Sequence, residues 1–142
     1  MRDLKYLFAY TVPISTLISF NSFGLGTYTA VFYAFVILPI LDVVLGEDNT
    51  NLSEEKVGAK KINKVFDWML YINLPIVYSL MAYGFVKVYS NDYSLFEMVG
   101  MCLSAGILLA TNGINVAHEL CHRKKYIERA IGKALSLPCL YM

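Results

Sequence analysis

Four long apolar segments alternate with polar connections along this chain. They cover residues 6–20, 27–45, 68–88 and 95–117. A helix needs about 20 apolar residues to cross a bilayer, so the first segment is short for a crossing and the other three are adequate. Prolines inside the segments predict kinks at Pro13, Pro39 and Pro75. The pattern therefore predicts an all-α fold, a polytopic membrane helical bundle with four transmembrane helices.

A fifth apolar stretch begins near Ala134 and continues to Met142. It is too short to cross a bilayer, and we expect it to be the start of a fifth membrane helix. On this interpretation residues 1–142 are the N-terminal part of a single membrane-embedded domain that is truncated at its C-terminus.

Composition supports a membrane protein and gives no sign of a nucleic-acid partner. Hydrophobic residues make up 57% of the chain and charged residues 16%, and the mean hydropathy is +0.52, which is too apolar for an ordinary soluble domain of this size. The net charge of +1 provides no basic surface for a phosphate backbone.

The positions of the basic residues predict the topology. If the N-terminus is cytoplasmic, eleven of the twelve Lys and Arg residues fall on the cytoplasmic side and only Lys87 lies outside, as the positive-inside rule requires. This orientation also makes the connection over residues 46–67 cytoplasmic. The cytoplasmic basic residues are Arg2, Lys5, Lys56, Lys60, Lys61, Lys64, Arg123, Lys124, Lys125, Arg129 and Lys133.

The two histidines of the chain, His118 and His122, lie four residues apart at the predicted cytoplasmic end of the fourth helix. One helical turn places them on the same face. Two neutral imidazoles at this spacing are a good platform for a divalent transition metal such as zinc, iron, copper or nickel. Two solvated histidines near a basic interface are the alternative without function. We predict that both histidines bind metal.

Other polar residues accompany the histidine pair. A regular helix aligns Thr111 and Asn115 with His118 and His122, and it places Asn112 and Glu119 on the flank of this polar stripe. Polar groups at such depth face protein, water or metal rather than lipid. We expect Asn115 and Glu119 to support the ligands from a second coordination shell.

A stripe of small residues lies on another side of the same helix and predicts close approach of a second helix. Its members are Gly106, Ala110, Gly113 and Ala117.

The segment from His118 to His122 also fits the His-Glu-x-x-His signature of zinc metalloproteases, in which the glutamate is the general base. An intramembrane zinc protease is therefore a competing interpretation. The five residues alone do not separate it from other metal chemistry.

Asp42 is an acidic residue near the end of the second apolar segment. The predicted topology places it at the same membrane level as His118, and an acid at this depth is a functional candidate. The alternative interpretation is that Asp42 has no function in the site and merely ends the helix, with its side chain reaching the membrane–water interface. We expect it to belong to the second shell of the histidine pair.

Two runs of sequence resemble one enzyme family. The run from Asn112 to Arg123, NGINVAHELCHR, is similar to the first histidine box of the membrane alkane 1-monooxygenases of AlkB type. The run LPILD ending at Asp42, together with LGED over residues 45–48, resembles the second-helix signature of that family. These enzymes belong to the wider superfamily of membrane fatty-acid desaturases and hydroxylases. The resemblance covers the whole chain but only the N-terminal third or so of a family member.

The resemblance implies a fold, a metal and partners. Members are bacterial inner-membrane proteins with six membrane helices and a diiron site that faces the cytoplasm. They hydroxylate the terminal methyl group of medium- to long-chain alkanes with O2 and electrons from rubredoxin, which rubredoxin reductase reduces. His118 and His122 would then be two of the iron ligands, and the other ligands would follow Met142. The isolated fragment is expected to be inactive.

The chain departs from the family pattern at two neighbouring positions: the family commonly has glycine where Cys121 stands, and lysine is common where Arg123 stands. We expect Cys121 to leave metal binding intact, because its side chain points away from the histidine face. The basic stretch over residues 123–133 would suit an acidic electron carrier, or it sets the topology alone.

Overall fold

The computed structural model describes residues 8–45 and 64–141, and these residues form helices joined by short turns, without a β-strand. We number the helices in chain order: α1 (Thr11–Phe20), α2 (Gly24–Val44), α3 (Phe66–Ser90), α4 (Leu95–Cys121) and α5 (Tyr126–Ser136). The predicted all-α class is confirmed for this part of the chain. Most of the connection predicted over residues 46–67 lies outside the described residues.

Three of the helices are long and apolar enough to cross a membrane. They are α2 with 21 residues, α3 with 25 and α4 with 27. The apolar helical stretch around α1, Phe8–Phe20, is shorter than a full crossing. The structure therefore supports a multi-pass membrane bundle, whereas the predicted count of four crossings is not confirmed.

The predicted start of a fifth membrane helix at Ala134 differs from what the structure shows. Helix α5 begins earlier, at Tyr126, and ends at Ser136, where a 3₁₀ turn, Leu137–Cys139, replaces it. Leu140 then adopts a left-handed conformation with φ of 53°. Pro138 explains the difference, because it lacks the N–H that a continuing helix needs. The apolar residues after Ala134 close a turn instead of opening a helix.

Tight turns and a capping box fix the bundle at the end away from the histidines. Gly24, with φ of +57°, takes a left-handed conformation that few side-chain-bearing residues adopt, and its N–H donates to Glu97 Oε1 at 2.7 Å. Glu97 also accepts from the backbone N–H of Ser94 at 2.8 Å and completes a capping box at the start of α4. One carboxylate therefore ties the start of α2 to the start of α4.

Irregular turns in the membrane helices coincide with two of the three prolines that predict kinks. Pro39 follows a π-helical turn, Tyr33–Ile37, and Pro75 follows a break at Ile72 between two helical segments of α3. Because a proline leaves the carbonyl four residues earlier without its partner, a local change of winding relieves both the lost bond and the ring clash. Pro13 lies in the first turn of α1, where a missing N–H costs nothing.

Helix α4 is the centre of the bundle. It packs against α1, α2 and α3 along its length and against α5 near its end. Half of the predicted small-residue stripe is buried: Gly113 and Ala117 are covered, whereas Gly106 and Ala110 are exposed. A π-helical turn, Leu109–Ile114, contains the boundary between the two halves and changes the face that each presents. Within the described residues the stripe prediction is therefore confirmed for Gly113 and Ala117 but not for Gly106 and Ala110.

Small hydroxyl side chains hold α1, α2 and α4 together in the half of the bundle away from the histidines. We call this group the hydroxyl seam; its residues are Ser15, Thr16, Ser19, Thr27 and Ser104. Each is at most 5% exposed. Ser104 Oγ donates to the Thr27 carbonyl at 2.8 Å and lies 3.1 Å from Ser19 Oγ, which accepts from the Ala30 N–H at 3.0 Å. Small residues allow this approach, and the hydrogen bonds add to helix association in lipid.

Candidate metal centre

The last segment of α4, Asn115–Cys121, is a regular α-helix that carries the histidine pair. His118 lies within it and His122 forms its C-cap, and the His122 N–H donates to the His118 carbonyl at 3.3 Å. Both side chains are exposed, and within the described residues neither imidazole forms a hydrogen bond. The helix therefore presents two imidazoles one turn apart, as the spacing predicts.

Tyr141 lies against the first of these histidines. Its ring meets the His118 ring edge to face, with 5.2 Å between the centroids and 72° between the planes. The turn after α5 brings this residue back, so the chain returns to the histidine pair at Tyr141. Sequence reasoning missed the contact because it depends on a turn that was read as the start of a helix. An aromatic edge of this kind restricts the rotamers open to the His118 imidazole.

The polar stripe predicted along α4 is only partly present. Asn115 is exposed on the same regular segment as the histidines, but Thr111 belongs to the π-helical turn. The Thr111 hydroxyl donates to the Ile107 carbonyl at 2.8 Å and lies 2.9 Å from Asn112 Oδ1. The regular spacing assumed for the stripe fails here because the π-helical turn adds a residue to the winding.

Asn112 joins neighbouring segments of the bundle, a role that the sequence does not indicate. It is 2% exposed, and its side-chain amide donates to the Asn73 side-chain oxygen at 2.8 Å and to the Ala9 carbonyl at 3.2 Å. It thus joins α4 to α3 and to the residues before α1. Its signal in the sequence was its polarity inside an apolar segment, which was assigned to the flank of the metal site.

The acids predicted to support the histidine ligands do not contact the histidines within the described residues. Asp42 is exposed near the end of α2, and residues 46–48 of its sequence signature lie outside the described residues. Glu119 is exposed, and its carboxylate lies 3.5 Å from the Arg123 guanidinium. That Asp42, Glu119 and Asn115 support the histidine ligands stays a prediction.

A cluster of charges adjoins the histidine pair, and sequence reasoning missed it. We call it the charged clamp; it consists of Asp67, Tyr71, Arg123 and Glu128. Arg123 forms an ion pair with Asp67 of α3, and its Nη1 lies 3.3 Å from Glu128 Oε1 of α5. The Tyr71 hydroxyl donates to the same Glu128 oxygen at 2.6 Å. The clamp therefore joins α3, the end of α4 and α5.

The clamp residues stabilise one another electrostatically. Glu128 is only 3% exposed, and the hydrogen bond from Tyr71, aided by Arg123 and Lys125, holds the pKa of its carboxyl below the ordinary value. The hydrogen bond to Asp67 raises the pKa of Arg123 further above its ordinary value. The Glu128 carboxylate and the Arg123 guanidinium are therefore both charged at neutral pH. A carboxylate that is buried away from water needs such an oppositely charged partner.

The donor set of the described residues fits part of a metal site. They contain no group of three or more His, Cys, Asp or Glu side chains that could hold a metal ion. Two unprotonated imidazoles suit iron and zinc alike, but a stable site needs more donors than two.

An apolar groove of about 460 Å³ lies between α1 and α3, apart from the histidines. Tyr10, Pro13, Leu17, Pro75 and Ile76 are among the residues that line it. Neither histidine does so.

Comparison with known proteins decides the family question. The chain is 34% identical over 110 residues to an alkane 1-monooxygenase of Pseudomonas putida, an alignment that covers 76% of this chain. It is 32% identical over 128 residues to alkane 1-monooxygenase 2 of Alcanivorax borkumensis, which covers 87%. The chain is a relative of the AlkB-type alkane monooxygenases. The resemblance predicted from the two sequence runs is confirmed.

The chain is also similar to a component of a xylene/toluene monooxygenase. It is 27% identical over 143 residues to the hydroxylase component XylM of the xylene/toluene monooxygenase of Pseudomonas putida. The alignments span 26%, 33% and 36% of the lengths of the three relatives, so the chain corresponds to about a third of such a protein or less. No protein-family model and no solved structure matches it. The zinc-protease alternative gains no support, because all three named relatives are monooxygenases.

Proposed function

We propose that this chain is part of a membrane non-haem diiron monooxygenase that hydroxylates the terminal methyl group of medium- to long-chain alkanes with O2. The observation that carries the proposal is the histidine pair on the last turn of α4, in a chain related to enzymes named alkane 1-monooxygenase. His118 and His122 would hold iron, and the remaining ligands would come from sequence outside this chain. An iron pair, when bound, would activate O2.

The residues of this chain would position the site. A membrane helix bundle gives an alkane lateral access from the bilayer, and the end of α4 places the imidazoles where the apolar segment stops. The ring of Tyr141 would limit the orientations of His118. We further propose that this end of α4 faces the cytoplasm of a bacterial inner membrane, as the basic residues predict.

Rubredoxin is the electron donor that we propose. Ion pairs already compensate Arg123, and Lys125 Nζ lies 3.5 Å from Glu128 Oε1, but Lys125 and three further basic side chains after His122 are exposed and leave a positive surface beside the histidines. An acidic carrier would be attracted to such a surface, with a rate that falls as salt rises. The four exposed residues are Lys124, Lys125, Arg129 and Lys133.

The test is made in the full-length protein that carries this segment, expressed in cells that lack an alkane hydroxylase. Conversion of octane to 1-octanol is measured by gas chromatography, and iron and zinc by mass spectrometry. We expect iron in the protein, and we expect H118A and H122A each to abolish conversion because a ligand is lost. Activity that survives either substitution would remove that histidine from the ligand set.

Glu119→Gln separates the oxygenase from the zinc protease. The oxygenase assigns Glu119 a supporting contact and no proton transfer, so E119Q should lower the hydroxylation but leave it measurable. A zinc protease needs this carboxylate as its general base, and E119Q would abolish its activity. Zinc without iron in the purified protein would contradict the oxygenase proposal.

A further inference from the structure

His122 occupies a weak position for a metal ligand. It is the C-cap of the segment Asn115–Cys121, with φ of −80° and ψ of −6°, so the regular helix ends beside it. The last turn of a helix lacks onward hydrogen bonds for its carbonyls, and it frays unless other contacts hold it. A frayed turn would separate two imidazoles that must share one metal. Something outside the helix must therefore fix this turn.

Arg123, the next residue, is anchored to two other helices. Its Nη1 pairs with Asp67 of α3 and lies 3.3 Å from Glu128 of α5, and its Nη2 lies 3.5 Å from Glu119, one turn back on α4. The planar guanidinium can reach several carboxylates at once, whereas the single ammonium of lysine cannot match this fork. Side-chain exposure is 25% for Arg123 and 5% for Glu128, so the contact is largely shielded from water.

Helix α5 also packs tightly against this turn. A Cβ atom on Gly132 would lie 2.8 Å from Cys121 Sγ, closer than real Cβ contacts allow, and 3.0 Å from the Ala117 carbonyl oxygen, tighter than most of them. Glycine at this position thus lets the backbone of α5 lie against the turn that carries His118 and His122. The packing and the ion pairs act on the same few residues from one side.

We infer that Arg123 is a positioning residue, which locks the last turn of α4 onto α3 and α5 and so holds His118 and His122 at the spacing for binding one metal. This inference rests on the proposed ligand role of the two histidines. It gives Arg123 a function in the site besides setting membrane topology.

The experiment uses Cu²⁺ as a probe of the pair in the full 142-residue chain in detergent micelles. The three cysteines are replaced by alanine so that thiols do not reduce the copper. Electron paramagnetic resonance reports the number of nitrogen ligands, and titration gives the affinity. We expect two coordinated nitrogens in the parent, and a Cu²⁺ affinity about tenfold lower in R123M, with one nitrogen. R123K should fall between the two.

Two controls separate positioning from general effects. Arg129 is an exposed residue of α5, so R129M removes the same charge from the same region without touching the clamp. Ser104→Ala weakens the bundle at the hydroxyl seam, far along α4 from His122. Both variants should keep the copper affinity and the two-nitrogen spectrum of the parent. Equal affinity and spectra in R123M and R129M would overturn the inference.

Further measurements cover the other outcomes. If circular dichroism shows that R123M does not fold, Asp67→Asn decides the matter, because it removes one anchor and leaves Glu128; unchanged copper affinity in D67N would then overturn the inference. Should H118A and H122A bind copper as tightly as the parent, the ligand pair fails. Hydrogen exchange at the amides of residues 118–123, about tenfold faster in R123M, would still show whether Arg123 holds the turn.

Discussion

Helix α4 is held in two regions by different chemistry. In the half away from the histidines, the hydroxyl seam joins it to α1 and α2 through uncharged Ser and Thr side chains that are almost completely buried. At the histidine end, the charged clamp joins it to α3 and α5 through a guanidinium, two carboxylates and a tyrosine hydroxyl. The first region lies within the membrane-length part of α4 and the second just beyond its end.

This difference follows from the surroundings of each region. Within the hydrocarbon layer a charge is costly, whereas small hydroxyl groups donate hydrogen bonds to nearby carbonyls and let helices approach one another closely. Beyond the apolar segment, charges are tolerated and give stronger and more directional contacts. The seam thus provides close packing, and the clamp fixes the orientation of one particular turn.

Gly100→Ala should have the largest effect on the seam side. A Cβ atom there would lie 2.3 Å from Thr27 Oγ1 and 2.6 Å from a ring carbon of Tyr28, so α2 and α4 would have to separate. We expect a loss of about 3 kcal/mol in the free energy of unfolding, measured by denaturation in detergent. Gly106→Ala is the matched control: a Cβ there meets nothing within 4 Å, so the variant should be neutral or slightly more stable. Equal stability of the two variants would contradict close packing at the seam.

Arg123→Met should cost about 2 kcal/mol, because it leaves the buried Glu128 carboxylate without its guanidinium. The partial exposure of Arg123 keeps the figure below that of a fully buried pair. Thermal denaturation of R123M beside R129M measures it. A loss no larger than that of R129M would show that the clamp adds nothing to stability.

Ser104→Ala should cost about 1 kcal/mol or less, since hydrogen bonds between membrane helices contribute modestly. The variant removes the hydrogen bond to the Thr27 carbonyl and the contact to Ser19, whose hydroxyl still donates to the Ser15 carbonyl. The same denaturation assay compares it with R123M. If S104A cost more than R123M, the order proposed for the two regions would be reversed.

Acid should weaken the clamp and spare the seam. The pKa of Glu128 is lowered in the folded chain, so the stabilisation from its charge is present above the ordinary carboxyl value of 4.5 and is lost as the pH falls through the folded pKa. The difference in stability between the parent and E128Q should therefore shrink below pH 4.5, whereas that between the parent and S104A should stay constant. A constant difference for E128Q would contradict the assignment of a charged Glu128.

The sequence by itself determined the class of the molecule and the place of the histidines. The length of an apolar segment predicts a membrane helix, because the bilayer thickness determines how many residues a crossing needs. A spacing of four residues places His118 and His122 one turn apart on any regular helix. Both inferences depend on local geometry. The same is true of the family resemblance, which needs only the order of residues.

Tertiary structure alone decided which polar residues meet. Arg123 reads as a topology-setting charge, and its partners Asp67 and Glu128 belong to two other helices, so no local pattern pairs them. A π-helical turn moved Thr111 out of the predicted stripe, and Pro138 turned the expected helix into the turn that brings Tyr141 to His118. Contacts between distant segments depend on how helices pack around one another. A stripe predicted from regular helical spacing assumes a constant number of residues per turn, so it cannot anticipate a π-helical turn.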